Sequence, residues 1–136
     1  MQITRQADYA LRAMLYLARM NSDMRAATSQ IATEQQIPPS FLAKIISQLS
    51  IAGLINTSRG AKGGVSLSRP AEEISMLEVV EAIDGPINLN ICSHNAGVCP
   101  FGEDCPIQPI WSDAQLELIN KLKSTNFAQL AKLNNN

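Results

Sequence analysis

Histidine is nearly absent from this 136-residue chain, and cysteine occurs only between positions 92 and 105. His94 is the single histidine, and neither Gly-x-Ser-x-Gly nor His-Glu-x-x-His is present. A lone imidazole without a partner does not make an acid–base or nucleophilic set. We therefore expect a protein that is not an enzyme.

Long apolar runs are also missing. No stretch of about 18 apolar residues occurs, and the first twenty residues mix apolar side chains with Arg5, Asp8, Arg12 and Arg19. This pattern fits neither a signal peptide nor a membrane span, so we expect a cytoplasmic protein with no membrane partner. Thiols in that compartment are kept reduced.

The net charge of −1 conceals two halves of opposite sign. Residues 1–69 hold eight Lys or Arg against three acidic residues, a net of +5, whereas residues 70–136 hold three against nine, a net of −6. A basic half suits phosphate groups, and an acidic half suits solvent or a partner subunit.

The apolar spacing predicts a mainly α protein with a small β-hairpin. Amphipathic helices are expected over 4–20, 28–36 and 39–52, with Thr28 capping the second and Pro39 opening the third. Strand-like runs at 54–58 and 65–68 flank a glycine-rich tip at 59–64. Two short helices followed by a hairpin are typical of a winged helix-turn-helix.

The third helix and the hairpin carry the predicted contacts to double-stranded DNA. Polar side chains early on a helix in the major groove reach base edges, and basic wing residues reach phosphates. Three purely structural interpretations stay open: Ser40 supports only the start of the helix, Phe41 belongs to the core, and the hairpin is only a turn. The glycine order does not match a nucleotide-binding loop. The expected contacts are Thr28, Ser40, Phe41, Lys44, Gln48, Arg59, Gly60, Lys62 and Gly63.

The second half predicts a linker helix and an association helix. Ser75 and Glu78 form a capping box that opens a helix through Asp84, and an apolar stripe marks a long helix over about 106–124. A final short helix is expected around 127–133. Because a small domain hardly needs that long stripe for its own core, we expect a homodimer. The predicted regions are thus 1–70, with the helix-turn-helix at about 28–52 and the wing at about 54–69, and 71–136, with a cysteine loop at 92–105.

The three cysteines form the tightest chemical signal. Cys92, Cys99 and Cys105 follow the spacing Cys-x6-Cys-x5-Cys. An odd number of thiols cannot be fully paired in disulfides, but three thiolates supply most of a metal's coordination shell. A zinc site completed by His94 and a metal-free thiol–disulfide switch stay open as alternatives.

In combination, these segments resemble the iron-sulfur winged-helix repressors typified by IscR and NsrR. The resemblance covers nearly the whole chain and rests on DYALR at 8–12, IPPSFL at 37–42, SRGAKGG at 58–64, LEVVEAID at 77–84 and the three cysteines. It implies a homodimeric transcription repressor that reads a pseudo-palindromic operator. It also implies an iron-sulfur cluster on Cys92, Cys99 and Cys105, supplied by iron-sulfur assembly machinery and sensing nitric oxide, redox or iron-sulfur status.

The fourth cluster ligand distinguishes the two branches. IscR-like members carry a histidine three residues after the last cysteine, where this chain has Gln108. NsrR-like members use an aspartate of the first helix from the other subunit, and Asp8 matches it. The resemblance therefore favours a [4Fe-4S] over a [2Fe-2S] cluster, although the first cysteine interval is one residue longer than in either branch. Asp8 could instead pair with Arg12 at i+4, and the substitute ligands are His94, Glu103 and Asp104.

Overall fold

The structure, a computed structural model, describes residues 2–61, 63–89 and 104–133. These residues are mainly helical with one two-stranded antiparallel hairpin, which confirms the predicted fold class. The elements are α1 (Arg5–Ala18), α2 (Thr28–Gln35), α3 (Pro39–Ile51), β1 (Ile55–Ser58), β2 (Gly64–Leu67), a 3-10 turn (Ala71–Glu73), α4 (Met76–Asp84), α5 (Gln108–Lys123) and α6 (Phe127–Ala131).

Helix α1 forms the centre of the core. The Thr4 hydroxyl accepts a hydrogen bond from the Ala7 N–H at 3.1 Å and caps the helix, so Thr4 precedes α1 instead of belonging to it. Tyr9, Ala13 and Leu17 are buried on this helix, whereas Leu11 and Leu15 are only half-buried. The buried residues of α1 are Ala7, Tyr9, Ala10, Ala13, Met14 and Leu17.

Helices α2 and α3 form the predicted helix-turn-helix. Gln36 has a left-handed φ of 54°, which turns the chain out of α2, and Pro39 occupies the first turn of α3 as expected. The structure corrects the N-cap of α2: Thr28 is its first residue, the N-cap is Ala27, and no side chain caps this end. The buried face of α3 consists of Leu42, Ile45, Ile46 and Leu49.

The wing is the β1–β2 hairpin, whose register runs from Ile55 opposite Leu67 to Ser58 opposite Gly64. The sequence did not predict a third segment beside it. Ala26, in the loop between α1 and α2, forms an antiparallel bridge with Val65, and both residues are buried. The wing is therefore fixed to the helical core along one edge.

The C-terminal helix returns to the DNA-binding half. Helix α4 opens with the predicted capping box of Ser75 and Glu78, and Ser75 bridges Asn126 just before α6. Phe127 is fully buried in the same hydrophobic cluster as α1 and α3. The chain that leaves the core after α4 is therefore anchored to it again at α6.

Helix α5 lies between these anchor points and has no buried residue in this single chain. Three of its large apolar side chains are exposed, Ile110 at 65%, Leu116 at 57% and Trp111 at 39%. None of the helices within the described ranges is both long and apolar enough to cross a membrane.

Candidate nucleic-acid interface and sensor residues

The outer face of α3 presents the predicted reading residues unevenly. Ser40 and Lys44 are exposed. Phe41 is 44% exposed, so it is not a core residue. Gln48 is only half-exposed, and its Oε1 is buried with no hydrogen-bond partner among the described residues. The first turns of α3 are therefore the accessible ones.

A groove of about 570 Å³ separates α3 from the wing. Thr28 at the uncapped start of α2 lines it on one side, and Arg59, Gly60 and Gly63 of the hairpin tip line it on the other. The structure thus brings four of the predicted DNA contacts to one groove. Lys62, a fifth predicted contact of the wing, lies outside the described residues.

Close backbone approach accounts for glycine at the base of the tip. A Cβ atom on Gly63 would lie 2.4 Å from the Ser58 carbonyl oxygen, closer than real Cβ contacts allow. Gly64 has a φ of 143°, and a Cβ there would lie 2.7 Å from the Ala26 carbonyl oxygen. Any side chain at either position would displace the tip that carries Arg59.

Charge on this surface is positive and uncompensated. Only two ion pairs occur among the described residues, Arg12 with Asp8 and Arg69 with Glu78, each at 3.0 Å. Lys44 and Arg59 are therefore without a carboxylate partner in this part of the chain. Such cations are available to phosphate oxygens.

Asp8 lies in a contact series that reaches the recognition helix α3. Its carboxylate pairs with Arg12, the alternative that the sequence offered. The Arg12 guanidinium carbon lies 5.0 Å from the centre of the Tyr9 ring, and that ring lies 6.3 Å from Phe41. Arg12 also donates to the Gln35 carbonyl at 3.4 Å, at the end of α2.

The start of α1 is also tied to the end of α4. Thr4 donates through its hydroxyl to Asp84 Oδ1 at 2.5 Å and through its N–H to Oδ2 at 3.2 Å. The segment that carries the cysteines begins shortly after Asp84. These two bonds fix the residue before α1 to the end of α4.

Most of the predicted metal centre lies outside the described residues. Cys92, Cys99, His94 and Glu103 fall there, while Cys105 is a half-buried free thiol just before α5. Within the described ranges, no three His, Cys, Asp or Glu side chains are grouped as for a metal. The metal site therefore stays a prediction.

Among the residues that the structure describes, two side chains have clearly shifted pKa values, and both lie away from the groove. Partial burial alone would raise the pKa of Glu78, but the Ser75 N–H and the Arg69 guanidinium outweigh it and lower the pKa. Burial and a hydrogen bond to Glu34 raise the pKa of Tyr16. Both shifts accompany contacts that hold elements together.

The comparison with known families identifies the chain. The family profile described as "Rrf2: Iron-dependent Transcriptional regulator" matches residues 3–133. This chain belongs to the Rrf2 family. An HTH-type transcriptional regulator of Mycobacterium tuberculosis, Rv1287, is 33% identical over 132 residues, which are 96% of this chain and 81% of the relative.

Solved Rrf2-type structures have the same fold. Staphylococcus aureus CymR in its oxidized form is 28% identical with a TM-score of 0.80, and the match covers 100% of both chains. T. potens IscR is 20% identical with a TM-score of 0.77 over 100% of this chain and 94% of its own. The resemblance to the IscR and NsrR type is confirmed at the level of family and fold, and the chain is a DNA-binding transcriptional regulator.

Sequence reasoning missed one contact of this Rrf2-family wing. Arg25 donates a hydrogen bond to Ser58 Oγ, next to Arg59. The contact depends on the segment around Ala26 lying beside the wing. In the sequence, Arg25 is followed by only two alanines, a run too short to show the alternation of a strand.

Proposed function

We propose that this protein is a homodimeric repressor whose affinity for a pseudo-palindromic operator is controlled by a [4Fe-4S] cluster. Cys92, Cys99 and Cys105 of one subunit hold the cluster, and Asp8 of the partner subunit completes it. The observation that carries the proposal is the contact series from Asp8 through Arg12 and Tyr9 to Phe41 on α3.

The donor chemistry fits a cluster. Thiolates are the standard ligands of iron-sulfur clusters, and Cys105 is a free thiol. The Asp8 side chain is 58% exposed, so a second subunit can approach it. Gln108 Nε2 donates to Ser112 Oγ at 2.8 Å, and an amide is a poor iron ligand, which favours Asp8 over the IscR-like position.

The dimer follows from α5. A helix with no buried residue but with exposed Ile110, Trp111 and Leu116 needs an apolar partner. A second copy of α5 offers the same surface, and the two-fold symmetry of such an interface matches a pseudo-palindromic operator. In the cytoplasm, such a dimer meets both DNA and the iron-sulfur assembly machinery.

The switch depends on what Asp8 binds. The Arg12–Asp8 pair is exposed, with side-chain accessibilities of 41% and 58%, and exposed pairs contribute only about 0–1 kcal/mol. Asp8 can therefore leave Arg12 at little cost. Arg12 then keeps its contacts to Tyr9 and Gln35 but loses the carboxylate that orients its guanidinium. The position of the α2–α3 turn, which Arg12 contacts at Gln35, changes as a result.

When bound, a cluster with one carboxylate ligand supplies an iron corner that nitric oxide or oxygen can attack. Without the cluster, Asp8 would pair with Arg12, as it does in this structure. A coupling of about 1–3 kcal/mol between the two states changes operator affinity by about 5- to 150-fold.

Anaerobic purification of the full chain tests the proposal. We expect coloured protein with matched iron and sulfide, and the loss of both in Cys92→Ala, Cys99→Ala and Cys105→Ala without unfolding. Iron and sulfide retained by all three variants would refute the assignment. Colourless protein with stoichiometric zinc would instead support the site completed by His94.

A thiol–disulfide switch without metal is the second candidate. The 28% identical S. aureus CymR is described in an oxidized form, and this chain has three cysteines in one segment. Iron-free protein that loses free thiols and changes DNA affinity on mild oxidation would favour this candidate.

A further inference from the structure

The loop between α1 and α2 is hydrogen-bonded to the wing in both directions. The Ala26 N–H donates to the Val65 carbonyl at 2.9 Å, and the Val65 N–H donates to the Ala26 carbonyl at 2.8 Å. Ala26 is 1% exposed and Val65 2%. Ala26 therefore pairs with the other edge of β2 through a single bridge, with β1 on the far side of β2.

Arg25 reaches across β2 to the outer strand. Its guanidinium donates to Ser58 Oγ, and Ser58 lies opposite Gly64 in the hairpin register. A Cβ atom on Gly64 would lie only 3.1 Å from the Arg25 Cβ. The absence of a side chain at position 64 thus opens the path that Arg25 takes.

This contact lies at the base of the wing tip. Ser58 is the last residue of β1, and Arg59 follows directly. Arg25 has no ion pair with a carboxylate among the described residues, since the two pairs there involve other arginines. Its contact with Ser58 therefore links the loop before α2 to the residue beside Arg59.

We propose that Arg25 is a positioning residue that fixes the wing, and with it Arg59, relative to the start of α2 and the face of α3. Without the Arg25–Ser58 bond, the tip keeps its basic charge but loses its fixed distance across the groove. This inference rests on the wing as a DNA contact and is independent of the cluster.

The test measures operator affinity over a range of salt concentrations for Arg25→Ala, Ser58→Ala, the double variant and Ser58→Thr. We expect each alanine variant to bind about fivefold more weakly, the loss expected for one charge-assisted hydrogen bond at an exposed site. The double variant should be no weaker than either single variant, because both remove the same bond. Ser58→Thr keeps the hydroxyl and should bind the operator as tightly as the parent protein.

The salt dependence separates positioning from direct phosphate contact. For Ser58→Ala, the slope of log affinity against log salt should equal that of the parent protein. Parent-like binding by Ser58→Ala, together with a slope reduced by about one charge in Arg25→Ala, would overturn the inference and make Arg25 a phosphate contact. A double variant whose loss of affinity equals the sum of the two single losses would overturn the inference as well.

Arg59→Ala and thermal unfolding serve as controls. If Arg59→Ala weakens binding while Arg25→Ala and Ser58→Ala do not, the inference fails and the proposed DNA interface stands. If Arg59→Ala binds like the parent protein, the interface itself fails. Equal unfolding midpoints for Ser58→Ala and Ser58→Thr would assign their difference in binding to the wing position and not to folding.

Discussion

Arg12 is the central residue of the proposed switch. It contacts Asp8 on its own helix, the Gln35 carbonyl at the end of α2 and the Tyr9 ring, which in turn meets Phe41. One guanidinium thus joins the predicted cluster ligand to the two helices of the DNA-reading unit.

Arg12→Ala should separate sensing from DNA binding. We expect unchanged iron and sulfide content, because Arg12 is not a ligand, but a smaller difference in operator affinity between loaded and cluster-free protein. Arg19→Ala is the matched control, since it removes the same charge from the C-cap of α1, where the Arg19 side chain donates to the Leu133 carbonyl. An unchanged difference in Arg12→Ala would exclude the contact series as the route.

Glu78 should give stability a modest dependence on pH. Its folded-state pKa is lowered, so its contribution is complete above its ordinary pKa of 4.5 and is lost as pH falls through the lower folded value. Its side chain is 41% exposed, so solvent screening limits the cost of Glu78→Gln to about 0.5 kcal/mol at pH 7. Urea unfolding of both proteins should show a difference in unfolding free energy that disappears in acid. A difference that does not depend on pH would exclude the ionic contribution.

At the scale of elements, α6 connects the association helix to the DNA-binding core. Phe127 is fully buried at its first position, and the Phe127 N–H donates to the Ile74 carbonyl at 3.1 Å. Helix α6 therefore anchors the end of α5 to the packing around α1.

Phe127→Ala should cost about 3–5 kcal/mol of unfolding free energy, because it leaves a cavity in the core. Leu133, 62% exposed in the same C-terminal segment, is the control, and Leu133→Ala should change stability by less than about 0.5 kcal/mol. Denaturant titration measures both. Similar small losses for the two variants would mean that α6 is not part of the core.

Local patterns predicted much of these elements, and distant contacts explain the rest. The Ser75 capping box and Pro39 are local signals, and both were predicted correctly. The Ala26–Val65 bridge joins residues 39 positions apart through one residue each, so it leaves no periodic trace. The cap at Thr28 was wrong because residue type alone does not fix where a helix begins.

In the candidate DNA interface, too, some features could be predicted from local sequence and others could not. The glycines and Arg59 were visible as a hairpin tip, and the structure brings them to one groove with Thr28. The inward turn of Gln48 Oε1 could not be predicted, since a position at the margin of the apolar stripe can face either way. The roles of these residues in DNA binding remain predictions.

At the scale of the whole molecule, the proposed function requires two chains. In the proposed dimer, the basic N-terminal half supplies the DNA surface and α5 connects the subunits. With Asp8 of the partner subunit as the proposed fourth ligand, an isolated monomer would lack both the paired recognition helices and that ligand.

Ile110→Glu should convert the dimer to monomers by placing a charge on the apolar face of α5. Ile110 is 65% exposed in the single chain, so the fold of each subunit should survive, as judged by circular dichroism. Asn120→Glu adds the same charge elsewhere on the exposed surface of the same helix and should leave the dimer intact. Sedimentation equilibrium distinguishes the two, and a dimeric Ile110→Glu would place the interface elsewhere.

The most direct test compares operator affinity before and after cluster removal from a single anaerobic preparation at constant salt. We predict a difference of about 5- to 150-fold that is absent from Cys105→Ala. Coloured, iron- and sulfide-loaded protein that binds the operator as tightly as its stripped form would contradict the account.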